Sequence, residues 1–469
     1  MADEPDSDTQ NITTPLSTVR TPQSHSDDEV TRASTPARNS ETKHGHQHAK
    51  NIDIQNEEKG IKESSASHQS PSFPDGGWRA WLVVVGVRPV LCCYPFGFVN
   101  AWGTFQAHYQ QSILKDSSPS DMYVFHPGFP WRLINVTNPH EYSLIFLPGI
   151  LVGRLFDLGY LKSILSTSSV LLIVATFLVA QCTRYWHFVL CQGIVIGIAA
   201  GGIFGPTTAV IGHWFHRRRG LAMGWIAVGS SLGGTLLPIA ANNLIATVGF
   251  QWTMRIIGFI LIVTLGVANL TLKRRLPPVN VAGGLLNLQA FKYAPFTAYC
   301  LSAFFSFLGI YTVLTYVSVS ALELGISESL SFYLLSIANA SSLFGRLSSG
   351  LLADRCGPGN IIIPFTAVAG ILTYAWPFAR TQRELIAVVV LYGFSSGAYV
   401  SLMATPIMSL GVTDDIGRRI GMFMSILSLG ALAGPPISGA INTASGGFEV
   451  VGYYAGQLFP MPLKSYCES

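Results

Sequence analysis

One arginine inside an apolar, serine-rich run has the most chemistry to offer in this sequence. Arg346, in ANASSLFGRLSSGLLADRCG, stands eight positions before Asp354. On a helix that spacing is about 12 Å, so the guanidinium lies deep in whatever buries the run. A charge in such surroundings is costly and is usually kept for function. A planar guanidinium also matches a carboxylate through two parallel hydrogen bonds, so Arg346 is the first candidate to hold an organic anion. Arg88, followed by Pro89, is a second cation eight residues into an earlier apolar run, and Asn100 is a neutral alternative for ligand contact. Asp and Glu after Trp78 all fall in breaks or near run ends, and His187 and His213 sit at edges. A mobile proton therefore has no obvious carrier among these residues.

Two further stretches echo one another. GRLFDLGY begins at Gly153 and places Asp157 four residues on, while GLLADRCG begins at Gly350 and places Asp354 four residues on, followed by Arg355. The two aspartates are 197 residues apart. A second echo links RRRGLAMGWIAVGSSLGG to RRIGMFMSILSLGALAG, pairing Arg218, Gly220, Met223, Gly229 and Gly233 with Arg419, Gly421, Met424, Gly430 and Gly434 at an offset of 201. Read together, the two offsets predict related halves with a small insertion between the motifs. Glycines allow close helix approach, and an aspartate at a helix end can cap a neighbouring helix or pair with an arginine, which makes these residues a gate latch.

The elements that must carry these residues are membrane spans. Of 469 residues, 49% are hydrophobic and 12% charged, against roughly a quarter charged in soluble domains. Of the 25 acidic residues, 13 lie at or before Asp75, and none falls between Asp157 and Glu323, which no soluble surface tolerates. Apolar runs long enough to cross a bilayer lie near 80–107, 163–182, 186–212, 220–248, 252–272, 294–322, 328–353, 361–379, 384–411 and 419–442. Runs 142–153 and 448–460 are too short to cross unaided. The fold class expected is an all-α polytopic membrane protein of twelve helices in two pseudo-symmetric six-helix halves, its second and twelfth spans incomplete. The expected division is a disordered cytoplasmic tail over 1–74, a first half over 75–272, a central cytoplasmic loop over 273–293 and a second half over 294–469 with its last helix truncated. With the tail inside, inner breaks hold 12 Lys and Arg, including Arg217, Arg218, Arg219, Arg274 and Arg275, and outer breaks hold 6. By the retention of positive charge in the cytoplasm, both termini are expected there.

The paired Gly-x-x-x-Asp loops resemble the signature of the major facilitator superfamily. PDGGWRAW (Pro74 to Trp81), NAWGTFQ, GHWFHRRRGLAMG and GRLSSGLLADRCG resemble its monocarboxylate-transporter branch, in its fungal form, over most of residues 74–120 and 149–455. That resemblance implies two halves rocking about a central site. It also implies that Arg346 anchors a carboxylate, although the acidic partner the family places one turn earlier is Ser342 here. The family pattern is apolar at the position of Arg88. The expected function is transport of small organic anions such as monocarboxylates, with or without a proton. Export of a fungal secondary metabolite is the alternative, and a non-transporting membrane sensor a third reading. The plasma membrane is the expected location, an organelle membrane the alternative.

Between Ser120 and Gly149 the chain carries Pro127, Pro130, Pro139 and Pro148 where the resemblance implies a helix, and GQLFPMPLKSYCES replaces the end of a twelfth. Such a segment cannot face lipid as a helix, and read-through into an intron explains both places. A real protein with a re-entrant second segment is the alternative, and Asn135 would then be a glycosylation acceptor in an outer loop. No HExxH, GxSxG, P-loop or dinucleotide fingerprint occurs, so no enzyme activity, catalytic residue or cofactor is expected. The 7 cysteines form no CxxC pair. With His44, His46 and His48 in the polar tail, they give no metal site, and a net charge of +4 gives no nucleic-acid signal.

Overall fold

In a computed structural model, the described residues are 75–93, 97–98, 105, 143–278, 284–411 and 413–459. Among them every regular element is helical: α1 Trp78–Cys93, α2 Gly149–Asp157, α3 Leu161–Val179, α4 Gly197–Trp214, α5 Arg219–Val248, α6 Phe250–Thr271, α7 Ala294–Glu323, α8 Glu328–Cys356, α9 Pro358–Ala375, α10 Gln382–Leu402, α11 Ile416–Ser445 and α12 Phe448–Gln457. Lipid offers no partner to a backbone N–H or C=O, so each apolar run closes its own ladder as a helix. The starts carry local signals. Ser327 accepts the Leu330 N–H ahead of α8, and Thr381 and Glu384 form a reciprocal capping box at α10. Positive-φ glycines end the two longest gate helices, Gly249 after α5 and Gly446 after α11.

Exposure sorts the helices. The most apolar windows of α3 and α6 are each 39% buried and that of α9 with its following turn 33%, whereas those of α5, α7, α10 and α11 are 61–67% buried. The first group shows apolar side chains such as Val263, Leu270 and Ile371 outward, which suits a lipid-facing rim. The second group forms the centre, where α5 packs on α8 and α2 on α11 across the two halves. Helix α8 is the most polar of the long helices, yet its 29 residues extend about 43 Å, more than a bilayer core.

Nine of the ten long predicted runs coincide with helices, the first, 80–107, is described as a helix over Trp78–Cys93, and the short ones remain short: α2 has 9 residues and α12 has 10. The tail, the proline-rich stretch with Asn135, and the last ten residues lie outside the described residues.

Two expectations are corrected. In the sequence, glycines at 193, 197, 201 and 205 recur every four residues, a spacing that predicts one smooth helix face for close packing. Gly193 lies in a π-helical stretch, Val189–Ile196, and has open space around it, while Gly201 presses on the Leu144 and Ile145 carbonyls. The wider π turn rotates the earlier glycine off the face.

The repeat register is also different. Helices α5 and α11 each have 30 residues and begin and end 197 apart. Gly249 corresponds to Gly446 at that same offset, so the motifs share one offset and no insertion separates them. Glycines 220 and 224 match 417 and 421. Four-residue spacing lets the sequences also match one turn later, which produced the offset of 201.

Candidate functional site

The latch aspartates sit at helix ends and point across the halves. Asp157, last residue of α2, accepts the Gly417 N–H at 2.9 Å and the Arg418 N–H at 2.8 Å, both in the first turn of α11. Asp354, near the end of α8, accepts the Gly220 N–H at 2.7 Å and the Leu221 N–H at 3.0 Å in the first turn of α5. The first four N–H groups of a helix lack partners within it and form the positive end of its dipole. Each carboxylate therefore satisfies two donors and a favourable field at once.

Glycines make the approach possible. A Cβ on Gly350 would lie 2.6 Å from the Gly220 carbonyl oxygen, and one on Gly224 2.6 Å from that of Arg346. In the other crossing a Cβ on Gly153 would strike the Gly417 carbonyl, and one on Gly421 the Gly149 carbonyl. Four glycines of one spacing thus seat two backbones against each other in both halves.

Further ties close the same end. The short helix Thr405–Ser409 has its carbonyls met from both sides: Arg219 donates to Met408 at 3.3 Å and Arg419 to Ile407 at 3.3 Å. Arg419 Nε also donates to Asp415 at 2.7 Å. Ser425 of α11 accepts the Ile150 N–H and donates to the Leu147 carbonyl at 2.9 Å, bridging to α2. Arg274, outside the spans, donates to the carbonyls of Phe156 and Asp157 and lies over the Phe156 ring. Burial holds its guanidinium below its ordinary pKa, and the Asp157 charge acts the other way. Nothing in the sequence spacing distinguished Arg219 or Arg274 from other basic residues, and Arg419 stood out only as a member of the repeat.

Arg346 lies about two helical turns beyond this latch and is 7% exposed. Its Nη1 donates to the Ala227 carbonyl at 3.0 Å and to Ser230 Oγ, both on α5. Its Nε has no hydrogen-bond partner, and among the described residues no carboxylate pairs with it. Ser342 shares a 2.7 Å hydrogen bond with Ser231, joining α8 to α5 where the resemblance implied an acid. Arg346 and Val400 stand in a wall between two cavities. One is lined by Phe204, Met223, Ile226, Met403 and Met424, with hydroxyls from Thr207, Thr208 and Ser401. The other includes Tyr311, Asn339, Ser342 and Ser396.

Of the sequence candidates, the structure brings together Gly153 and Asp157 at one crossing and Gly350 and Asp354 at the other, with Arg346 further along α8. Arg355 is exposed and takes no part in the latch hydrogen bonds. Arg88 falls within α1, and Asn100 lies outside the described residues.

The sequence model described as Major Facilitator Superfamily matches residues 142–411 and 299–459. The aspyridones efflux protein of Emericella nidulans is 36% identical over 81% of this chain and 75% of its own length. An MFS transporter of Aspergillus flavus is 36% identical over 82% of this chain and 85% of its own. Among solved structures, the human organic anion transporter MFSD10 aligns with a TM-score of 0.67 at 15% identity, covering 81% of this chain and 97% of that one. The Escherichia coli fucose:proton symporter FucP aligns with a TM-score of 0.64 at 13% identity, with the same coverage.

Proposed function

This chain belongs to the major facilitator superfamily, a multi-pass membrane transporter and not an enzyme, and from that premise we propose that it exports an amphipathic organic anion by alternating access. The observation that carries the reading is Arg346. A guanidinium buried at the interface of the halves, with an unmet Nε and no counter-ion among the described residues, is costly in low dielectric unless a ligand supplies the charge. The cavity beside it is walled by phenylalanine, methionine and isoleucine with a few hydroxyls. Such a wall suits an apolar body that carries one acidic group, more than a two- or three-carbon monocarboxylate. The efflux named for the Emericella nidulans relative supports export over the small-acid reading.

The latch end is the cytoplasmic end in this reading, by the positive charge gathered there. With both latches made, that end is closed. A carrier keeps its two states within a few kcal/mol of each other, so contacts at the opposite end must nearly balance the latch bonds. Substrate entering beside Arg346 then tips the balance by its different affinity for the two states.

The test is a host strain lacking its own drug exporters, loaded with a fluorescent aromatic carboxylic acid. Expression of the chain should lower the dye retained, and Arg346→Ala should abolish that effect at unchanged surface abundance. Faster uptake of lactate with no change in dye retention would return the assignment to monocarboxylates.

A further inference from the structure

Asp75 opens α1 from a position no ordinary residue favours. Among the described residues it is the one non-glycine with a left-handed backbone, at φ 45°. Such a conformation persists when its surroundings over-determine it. Here its Oδ1 accepts the N–H of His216 at 2.5 Å and of Arg217 at 2.6 Å. Those two residues are the corner between α4 and α5, four positions before the donors that Asp354 holds. The corner needs help, because Arg217, Arg218 and Arg219 crowd three positive charges at a helix N-terminus, where the dipole opposes them.

The second half solves the same problem with different chemistry. Asn287, in the segment leading into α7, donates its amide to Asp415 at 2.7 Å. Asp415 immediately precedes α11, whose first turn Asp157 holds. An aspartate bonds a backbone in one half, and an amide bonds an aspartate in the other. These residues do not correspond at the 197-residue offset, so the shared geometry is not a relic of the repeat.

We propose that Asp75 and Asn287 are positioning residues of the gate. Each fixes the corner from which a latch helix starts, so that its first N–H groups stay presented to the carboxylate of the other half. A loosened corner frays the first turn of α5 or α11 and weakens the closed latch without touching any substrate contact. The inference rests on the gate described above and is independent of what the protein exports.

Labelling with a membrane-impermeant maleimide tests it in the full chain, with no substrate present. The reporter is Ala227→Cys, in the cavity beyond the latch, approached from the latch side, in a chain whose native cysteines, the exposed Cys356 among them, are replaced by serine. Asp75→Gly keeps the left-handed backbone and removes the acceptor, and it should speed labelling at least about tenfold, the effect of losing one charge-assisted hydrogen bond. Asp75→Asn keeps both the acceptor oxygen and the tolerance of that backbone but loses the charge, and it should label at a rate between the parent and Asp75→Gly. Asn287→Ala should speed labelling through the other corner. Parental labelling in Asp75→Gly overturns the proposal. So does an Asp75→Asn variant that opens the gate as much as Asp75→Gly, since charge alone would then account for Asp75.

Discussion

Asp157 and Asp354, 197 residues apart, each hold the first turn of a helix that belongs to the opposite half. The exchange is reciprocal: α2 is tied to α11 and α8 to α5, with donors that also correspond at an offset of 197. Neither half can therefore swing from the other at this end without breaking both ties, and the two latches act on one equilibrium. Their surroundings differ, however. Asp157 is 1% exposed, whereas Asp354 is half-buried.

Removing either carboxylate strands two helix-end N–H groups. The closed state should lose roughly 1.5–3 kcal/mol for each hydrogen bond to a charged group, with the larger loss at Asp157, where water cannot replace it. Gate-side labelling of the Ala227→Cys reporter should rise in both Asp157→Ala and Asp354→Ala, more steeply in the first. Equal rates would mean that burial does not strengthen the latch.

The glycine crossings make a second expectation. Gly153→Ala and Gly350→Ala place a methyl against a carbonyl of the facing helix, and overpacking of this kind typically costs about 1–3 kcal/mol. Gly193→Ala meets nothing within 4 Å and serves as the comparison. Melting temperature in detergent should fall for the first two and hold or rise for the third, since alanine is the better helix former, and a fall in all three would mean that close approach is not the cause.

The spans were legible because lipid leaves an apolar run one way to satisfy its backbone, and α5, α7 and α11 appear close to where hydropathy put them. The latch aspartates were legible as a repeated pattern. Their partners were not, because Gly417 and Gly220 are named only by how helices cross in space. The repeat register slipped by one turn at a four-residue glycine spacing, which periodicity alone cannot resolve. Arg219 and Arg274 looked like interchangeable inner-loop charges and Arg419 like a repeat marker, and only folding shows which carbonyl each one meets. Ser342 read as the loss of an acid, and its hydrogen bond to Ser231 shows what took the acid's place.

Tyrosine struts stiffen the second half and give a third expectation. Tyr299 of α7 donates to the Met403 carbonyl at 2.7 Å, Tyr392 of α10 to Ile310 at 2.5 Å and Tyr316 of α7 to Pro435 at 2.8 Å. Each ties one helix to the backbone at another. Phenylalanine at Tyr392 preserves the packing and removes the donor, for a loss of about 1 kcal/mol. Thermal stability should drop modestly in Tyr392→Phe with the gate-side labelling rate unchanged, because neither Tyr392 nor Ile310 contributes to the latch. A changed rate would mean that the struts move during gating.

Arg346 separates substrate binding from gating. It reaches Ala227 and Ser230 on α5, so a purely structural role predicts that its loss loosens the α5–α8 crossing. An anion-holding role predicts something else: transport fails while the crossing, which Gly224, Gly350 and Asp354 maintain, stays closed. Arg346→Ala should therefore abolish export and leave the labelling rate within about twofold of the parent, since the two lost hydrogen bonds are replaced in part by water in the adjoining cavity. Arg346→Lys keeps the charge but loses the planar fork. If the guanidinium grips a carboxylate with two parallel bonds, the lysine variant should bind substrate at least about tenfold more weakly, with little change in maximal rate. A lysine variant that matches the parent in both constants would reduce Arg346 to a point charge. A faster labelling rate in Arg346→Ala would make it a strut of the gate.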